Sequence, residues 1–396
     1  MKILFPLPIP YDGTEARYLQ RDGARFAQYL VSQGHQAVKI IIDDGSGHPP
    51  PTSPILGVAT WDQWCSSDYW KTQQADGVLL YGGFNQSLAP VARAIREAGI
   101  PLALKMDSAN GVLPFPKDLW RQIKTGYHAA HQNHNKLEST LLSCSRQAIR
   151  AVRGTKSLRS YLLLFDWITG ESYYAVENTK KWLVKNHLAH LAEHTVLLAH
   201  PVPDQFLYDS ASAPKRKQIL AVARNWKNPL KGGELLGKVL AQTLAANADY
   251  RAVVVGESSG LVQDIALASN ATLCGRIRTE PLRDSIELFS FYNESQILVV
   301  ASGSESGPIV AFEAVCSGCS IVCPPEIKQL TMFTGANCGT MARHRSIGGM
   351  SEALDNEVKA WANKLRDPIS ISKSWSALLH TSRETEHLLS LFGLKL

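Results

Sequence analysis

The chain predicts an α/β protein built from two doubly wound, Rossmann-like domains, each a parallel sheet covered by helices. Three observations carry that reading. Apolar, strand-like runs alternate with helical stretches through residues 1–200. A Pro/Ser/Ala-rich stretch follows, and the same alternation then restarts. Consecutive βαβ units give a parallel sheet with helices on its faces. At 396 residues the chain also exceeds the usual size of one domain.

In the first half, Lys2–Pro6, Ala37–Asp43, Gly77–Gly83 and Pro101–Asp107 read as strands. Glu15–Gln33 reads as a helix, with Leu19, Phe26, Ala27 and Leu30 at helical spacing, and Leu88–Ala98 as a second. Gly34 and Gly99 each stand where a helix closes ahead of the next strand. Ligands in such sheets bind beyond the carboxyl ends of strands. The loops there are Leu7–Thr14, Gly82–Ser87 and Met106–Val112.

Residues 201–216 open with Pro-Val-Pro and contain Ser-Ala-Ser-Ala-Pro, the composition of a linker. Beyond it, Gln218–Arg224 reads as a strand, Gly233–Asn247 as a helix, Arg251–Glu257 as a strand and Leu261–Ser269 as a helix. A short strand-like Thr272–Gly275 and a helical Leu282–Tyr292 follow. The expected layout is an N-terminal domain at 1–200, the linker at 201–216, a second domain at 217–369 and C-terminal helices at 370–396.

The most informative stretch is Ala301-Ser-Gly-Ser-Glu-Ser-Gly-Pro-Ile-Val-Ala-Phe-Glu-Ala-Val-Cys-Ser-Gly318, which follows the apolar run Gln296–Ala301. A strand, a Gly/Ser-rich loop and a helix are expected in that order. Pro308 suits the first helical turn and Gly318 the residue past its end. Loop residues 302–307 then sit at a helix N-terminus, where free N–H groups and a positive dipole favour anions, phosphate above all. Two carboxylates frame this start. Glu305 lies in the loop, and Glu313 lies among Ile309, Val310, Ala311, Phe312, Ala314 and Val315, roughly 7–8 Å along the helix from Pro308. An ionised carboxylate among apolar neighbours needs hydrogen-bond partners. Ligand hydroxyls are one answer; a wet helix face for Glu313 and an ordinary loop acid in Glu305 are the other.

Glu305 and Glu313 have seven residues between them, followed by Gly318 and the apolar run Ser320–Pro324. This resembles the E-x7-E signature of the retaining glycosyltransferases of the GT-B fold, family 4. The resemblance implies two Rossmann-like domains facing a cleft and transfer of a hexose from a nucleotide-diphosphate sugar to a hydroxyl acceptor. It implies that Glu313 binds the ribose, that Glu305 contacts the donor sugar, and that amides between them, those of Gly307, Ile309 and Val310, hold sugar and phosphate. It also implies a C-terminal helix that crosses back to the first domain. One departure stands out. The family often has Gly-Phe-Gly where this chain has Ser306-Gly307-Pro308, and Pro308 offers no amide, so one donor contact is missing or comes from a neighbour.

Ala223-Arg-Asn-Trp-Lys-Asn-Pro-Leu-Lys-Gly232 resembles the family segment whose Arg and Lys bind the donor diphosphate; Arg224 and Lys231 occupy those places. Fixed cations there stabilise the charge gained by the leaving nucleotide. The family's gap is usually shorter, which leaves Lys227 open as the second cation. Gly256, in Val253–Gly260, falls where the family has a turn near the nucleotide, and Arg276–Arg278 where it contacts the base by backbone. Gly13, in Tyr11–Thr14, falls where family members place glycines near the sugar's phosphate. Asp107 falls near the family's active-site His position; it either contacts donor or acceptor hydroxyls or caps a loop turn.

Other features read as structure. Trp61, Trp64, Tyr69 and Trp70 suit a sugar acceptor or the pinning of a long loop, and pinning is preferred. His128, His131, His134 and His187, His190, His194 each share part of a helix face, but no paired Cys supports a metal site, and none is expected. Arg146, Arg150, Arg153, Lys156 and Arg159, with no acidic residue between Glu138 and Asp166, form a basic, partly apolar element suited to an anionic membrane surface or a lipid-phosphate acceptor. A solvated helix face whose apolar side packs on the domain is the other reading, and the preferred one.

Hydrophobic content of 45% and charged content of 19% describe an ordinary globular protein, and a net charge of +6 is a mild basic bias. No apolar run reaches membrane-spanning length. The start is too short and proline-broken for a signal peptide, and seven scattered cysteines fit reduced thiols, so a cytoplasmic location, peripheral to the membrane's inner face at most, is expected. No Gly-x-Gly-x-x-Gly follows the first strand, which argues against a dinucleotide oxidoreductase. The expected partners are a UDP-, GDP- or ADP-linked sugar and a carbohydrate or lipid-linked acceptor, with no nucleic acid and no further cofactor. The alternative is a catalytically silent sugar-nucleotide-binding or scaffold protein of the same fold.

Overall fold

A computed structural model describes residues 1–106, 156–208, 214–305, 307–335 and 338–396. Two compact units emerge. The first comprises Met1–Leu19, Leu30–Leu198 and Leu388–Leu396, and the second Gln20–Tyr29 and Ala199–His387.

The first unit holds a seven-stranded sheet in the order β3-β2-β1-β4-β5-β6-β7. Its strands are β1 (Lys2–Pro10), β2 (Gln36–Asp43), β3 (Leu56–Thr60), β4 (Gly77–Tyr81), β5 (Leu102–Met106), β6 (Trp167–Gly170) and β7 (Thr195–Leu197). Every neighbouring pair is parallel. Parallel strands covered on both faces read as unbroken apolar runs, and β4 and β5 are buried at every position. Pairing of β1 with β4 involves Ile3 and Leu4 only. Beyond them Pro6, Pro8 and Pro10 lack the N–H groups that a further ladder needs.

The second unit holds six parallel strands in the order β10-β9-β8-β11-β12-β13. They are β8 (Arg216–Asn225), β9 (Arg251–Glu257), β10 (Ile277–Glu280), β11 (Ser295–Val299), β12 (Ser320–Cys323) and β13 (Gly339–Met341). The order reverses between β8 and β11, so the loops after those two strands flank the switch point where such sheets bind ligands.

Several local expectations change. The stretch read as one helix over Glu15–Gln33 is two, Glu15–Leu19 and Asp22–Ser32. Asp22 turns its carboxylate onto the N–H of Gly23, a local bond that competes with the helix ladder. Thr272–Gly275 is not a strand: Ala271–Leu273 is a 3₁₀ turn and the strand begins at Ile277. Strands β3, β6 and β7 are too short to stand out in the sequence.

Trp64 and Trp70 are fully buried, and the indole N–H of Trp70 donates to the carbonyl of Trp64 at 2.7 Å. Trp64 and Trp70 thus pin the segment to the core, whereas Trp61 is exposed. Among the described residues no helix is long and apolar enough to cross a membrane.

Candidate functional site

The loop after β11 leads into the helix Ile309–Cys316. Pro308 stands just ahead of the first helical residue, with φ −70° and ψ 103°. The N–H of Ala311 reaches back to the Pro308 carbonyl at 2.8 Å, so the amides of Ile309 and Val310 precede the first helical bond. Gly318, at φ 75°, ends the helix; its N–H bonds the carbonyl of Val315 at 3.0 Å, and that of Cys319 bonds Ala314 at 2.8 Å. The left-handed conformation is what a helix terminator of this kind requires.

Glu305 and Lys231 meet. The Lys231 Nζ donates to Glu305 Oε1 at 2.6 Å, with the two side chains 27% and 15% exposed. The backbone holds them together, because the Gly303 N–H donates to the Leu230 carbonyl at 2.8 Å. Lys231 ends the 3₁₀ turn Pro229–Lys231, which Asn228 caps by accepting from the Leu230 N–H at 3.0 Å. Gly232 follows at φ 72° and caps the helix Gly233–Ala246; a side chain there would collide with the Ala301 carbonyl. Arg224, at the end of β8, and Lys227, in the turn after it, are both exposed. The ion pair with Glu305 is made by Lys231.

Glu313 has a different setting. It is buried, and its Oε1 forms an ion pair with Arg25, the two side chains being 3% and 5% exposed. Its Oε2 accepts from the Tyr292 hydroxyl at 3.0 Å. Arg25 also donates to the Pro201 carbonyl at 3.1 Å and lies over the ring of Phe206. Burial, with the Glu313 charge second, pushes the Tyr292 hydroxyl well above its ordinary pKa, so Tyr292 is a donor here at all working pH values.

His200 is a site neighbour that the sequence does not advertise. Its Nε2 lies 2.9 Å from the Gly307 carbonyl, which can only accept, so this nitrogen carries the proton. Its Nδ1 stands 3.4 Å from Asp22 Oδ2, and its ring meets Phe312 edge-on. Arg345 is another such neighbour, donating its Nε to the Ala301 carbonyl at 3.0 Å.

The remaining candidates are placed as follows. A side chain at Gly256 would strike the Ala223 carbonyl, so this glycine has a packing reason of its own. Arg276 spends its guanidinium on the carbonyls of Leu244, Asn247 and Tyr250, at 2.8, 2.6 and 2.7 Å. Arg278 pairs with Glu280 and lies over Phe291. In the first unit Gly13 has φ 78°, in a loop where Asp12 accepts from the Thr14 N–H at 3.1 Å and pairs with Arg17. Asp107, the first histidine set and Arg146, Arg150 and Arg153 lie outside the described residues. His187, His190 and His194 are exposed and, among the described residues, do not converge as metal ligands; His194 stacks on Trp167. Cys316, Cys319 and Cys323 are buried free thiols, each raised in pKa by burial.

Residues 216–369 match the family described as glycosyl transferases group 1. The fold is GT-B. Anabaena Alr3699/HepE in complex with UDP superposes with a TM-score of 0.63 at 14% identity, over 99% of this chain and 100% of that one. Sucrose-phosphate synthase from Thermosynechococcus elongatus gives 0.63 at 13% identity over 99% and 98%, and a glycosyltransferase from Rickettsia africae ESF-5 gives 0.61 at 14% over 99% and 97%. No curated protein matches by sequence. The GT-B match covers the whole chain, while the group 1 region coincides with the unit that holds Arg224, Lys231, Glu305 and Glu313.

Proposed function

We propose that the protein is a retaining hexosyltransferase that moves a sugar from a nucleotide diphosphate to a hydroxyl acceptor, in polysaccharide, glycolipid or glycoconjugate synthesis. The observation that carries this reading is the Lys231–Glu305 pair beside the amides of Ile309 and Val310, in the loop after a switch-point strand. Those amides and the helix dipole favour phosphate. Glu305 has hydrogen-bonding capacity left for sugar hydroxyls, and Arg224 and Lys231 counter the charge that grows on the departing nucleotide. Catalysis in this reading is electrostatic and positional, and asks for no metal. UDP is the first nucleotide to try, because HepE is in complex with it.

The ribose role of Glu313 requires it to exchange Arg25 or Tyr292 for the ligand, since both of its oxygens are engaged. The second reading, a catalytically silent sugar-nucleotide-binding protein of the same fold, makes the same demand on Glu313. Thermal shift with UDP, GDP and ADP tests the binding common to both: a ligand at about a hundred times its dissociation constant adds about 2.7 kcal/mol. Incubation with labelled sugar nucleotides then separates them. Transfer or donor hydrolysis supports the enzyme; binding without either supports the silent protein; no binding rejects both.

A further inference from the structure

We infer that Arg345 binds the diphosphate of the donor, an assignment that rests on the reading above. Arg345 stands between β13 and the helix Ile347–Ala362, far in sequence from the loops already described. Its guanidinium nevertheless lies on them. The Nε donates to the Ala301 carbonyl at 3.0 Å. The Cζ and Nη1 sit 3.5 and 3.6 Å from where a side chain would start at Gly303, and Nη2 sits 2.8 Å from that point at Gly232. The guanidinium thus packs in ordinary contact over Gly303 and fills space that a side chain at Gly232 would take, so it touches both loops of the candidate site.

The charge balance is the telling part. Lys231 faces Glu305, so its charge is met within the protein. Nη1 and Nη2 of Arg345 make no hydrogen bond or ion pair with any described residue. Arg345 is half-buried and stands against Gly232, the cap of the fourteen-residue helix Gly233–Ala246, whose N-terminal end is itself positive. A cation at the positive end of a helix is repelled unless an anion joins the two. The planar fork, anchored through Nε and with two nitrogens left to donate, matches two oxygens of a phosphate. The ligand class is a diphosphate ester, and inorganic pyrophosphate is its minimal probe.

Calorimetry with UDP, uridine and pyrophosphate on wild type, Arg345→Gln and Arg345→Lys tests the assignment. Losing charged hydrogen bonds to phosphate should weaken UDP and pyrophosphate about tenfold to a hundredfold in Arg345→Gln and leave uridine unchanged. Arg345→Lys keeps the charge without the fork and should recover part of the loss. With substrate, the KM for the donor should rise more than kcat falls. Thermal denaturation of each variant checks folding; should Arg345→Gln not fold, Arg345→Lys carries the test, with about a threefold to tenfold loss of pyrophosphate affinity expected. Unchanged affinity for UDP and pyrophosphate, or an equal loss for uridine, overturns the inference. Wild type that binds pyrophosphate in an Arg345-dependent way but no nucleoside diphosphate would instead reject the donor-site reading and keep the anion site. Wild type that binds neither pyrophosphate nor any of UDP, GDP and ADP overturns both.

Discussion

Glu305 and Glu313 belong to one motif and live in two different chemical worlds. Glu305 sits in a loop, partly exposed, against a single lysine that is itself a quarter exposed. Glu313 is walled in, with an arginine on one oxygen and a tyrosine hydroxyl on the other. A part-exposed pair is weaker and more readily exchanged, since solvent screens it and competes for its partners. A buried pair is held by the cost of leaving either charge alone in a low-dielectric interior. Spacing in the sequence makes the two carboxylates equivalent members of a signature. Their surroundings give one the freedom to meet a ligand and tie the other into the fold.

The sharpest way to break this contrast is Arg25→Ala. It strands Glu313 as an unpaired buried charge, and the expected loss is about 3–5 kcal/mol in urea denaturation. Replacing both partners with apolar residues, Arg25→Met with Glu313→Leu, should recover much of it. A loss below about 1 kcal/mol for Arg25→Ala would place the pair with ordinary surface salt bridges. Next come Lys231→Ala and Arg224→Ala. Each should lower turnover by about two to three orders of magnitude, the scale of losing one preorganised charge stabiliser. Stability should move by no more than about 1 kcal/mol in Lys231→Ala, because a part-exposed pair contributes little. Lys227→Ala, run alongside, decides which lysine serves the diphosphate.

His200→Ala should cost about 1–3 kcal/mol, because it leaves the Gly307 carbonyl without its donor. It should also raise the donor KM, since that carbonyl belongs to the loop beside Glu305; a stability loss with unchanged KM would confine His200 to packing.

The smallest effect concerns Glu280. Hydrogen bonding from Arg283, ahead of that from Arg278, holds its carboxyl below the ordinary glutamate range despite partial desolvation. A depressed folded pKa contributes stability that is present above the unfolded pKa and lost as pH falls through the folded one. Glu280→Gln should therefore lower stability at neutral pH, leave it nearly unchanged at pH values below the folded pKa, and so flatten the acid limb of a stability profile. An acid limb of the same slope in the variant would assign the effect to other carboxylates.

The opposite end of the same sheet sharpens the comparison further. A cavity of about 390 Å³ at the N-terminal ends of β8, β9 and β10 is lined by Arg216, Lys217, Arg251, Arg276 and Arg278, with Asp249. It is more basic than the candidate site, yet Arg216 pairs with Glu294, Lys217 with Asp249 and Arg278 with Glu280, and Arg276 is spent on three carbonyls. Positive charge alone is thus a poor guide. What sets the candidate site apart is a part-exposed Lys231–Glu305 pair in loops that lead into helix N-termini, where the backbone itself favours anions.

Legible in the sequence are the two parallel sheets, the loop after β11, the helix behind it with its terminating Gly318, and the presence of cations in the loop after β8. All of these rest on local pattern: apolar runs of strand length, glycine and proline at element ends, and hydrogen-bond demands that neighbours in the chain satisfy. The break within Glu15–Gln33 was missed because a single Asp–Gly step inside an amphipathic pattern leaves the periodicity intact. Strand β10 was misplaced because four residues are too few to show a period. The partners of the site, in contrast, come from tertiary packing. Arg25 reaches Glu313 across 288 positions, His200 reaches Gly307 across 107, and Arg345 reaches Ala301 across 44. No local rule couples residues so far apart. Their meeting depends on the order and register of whole strands, and on which side chains those strands bring within hydrogen-bond distance once the cores are packed.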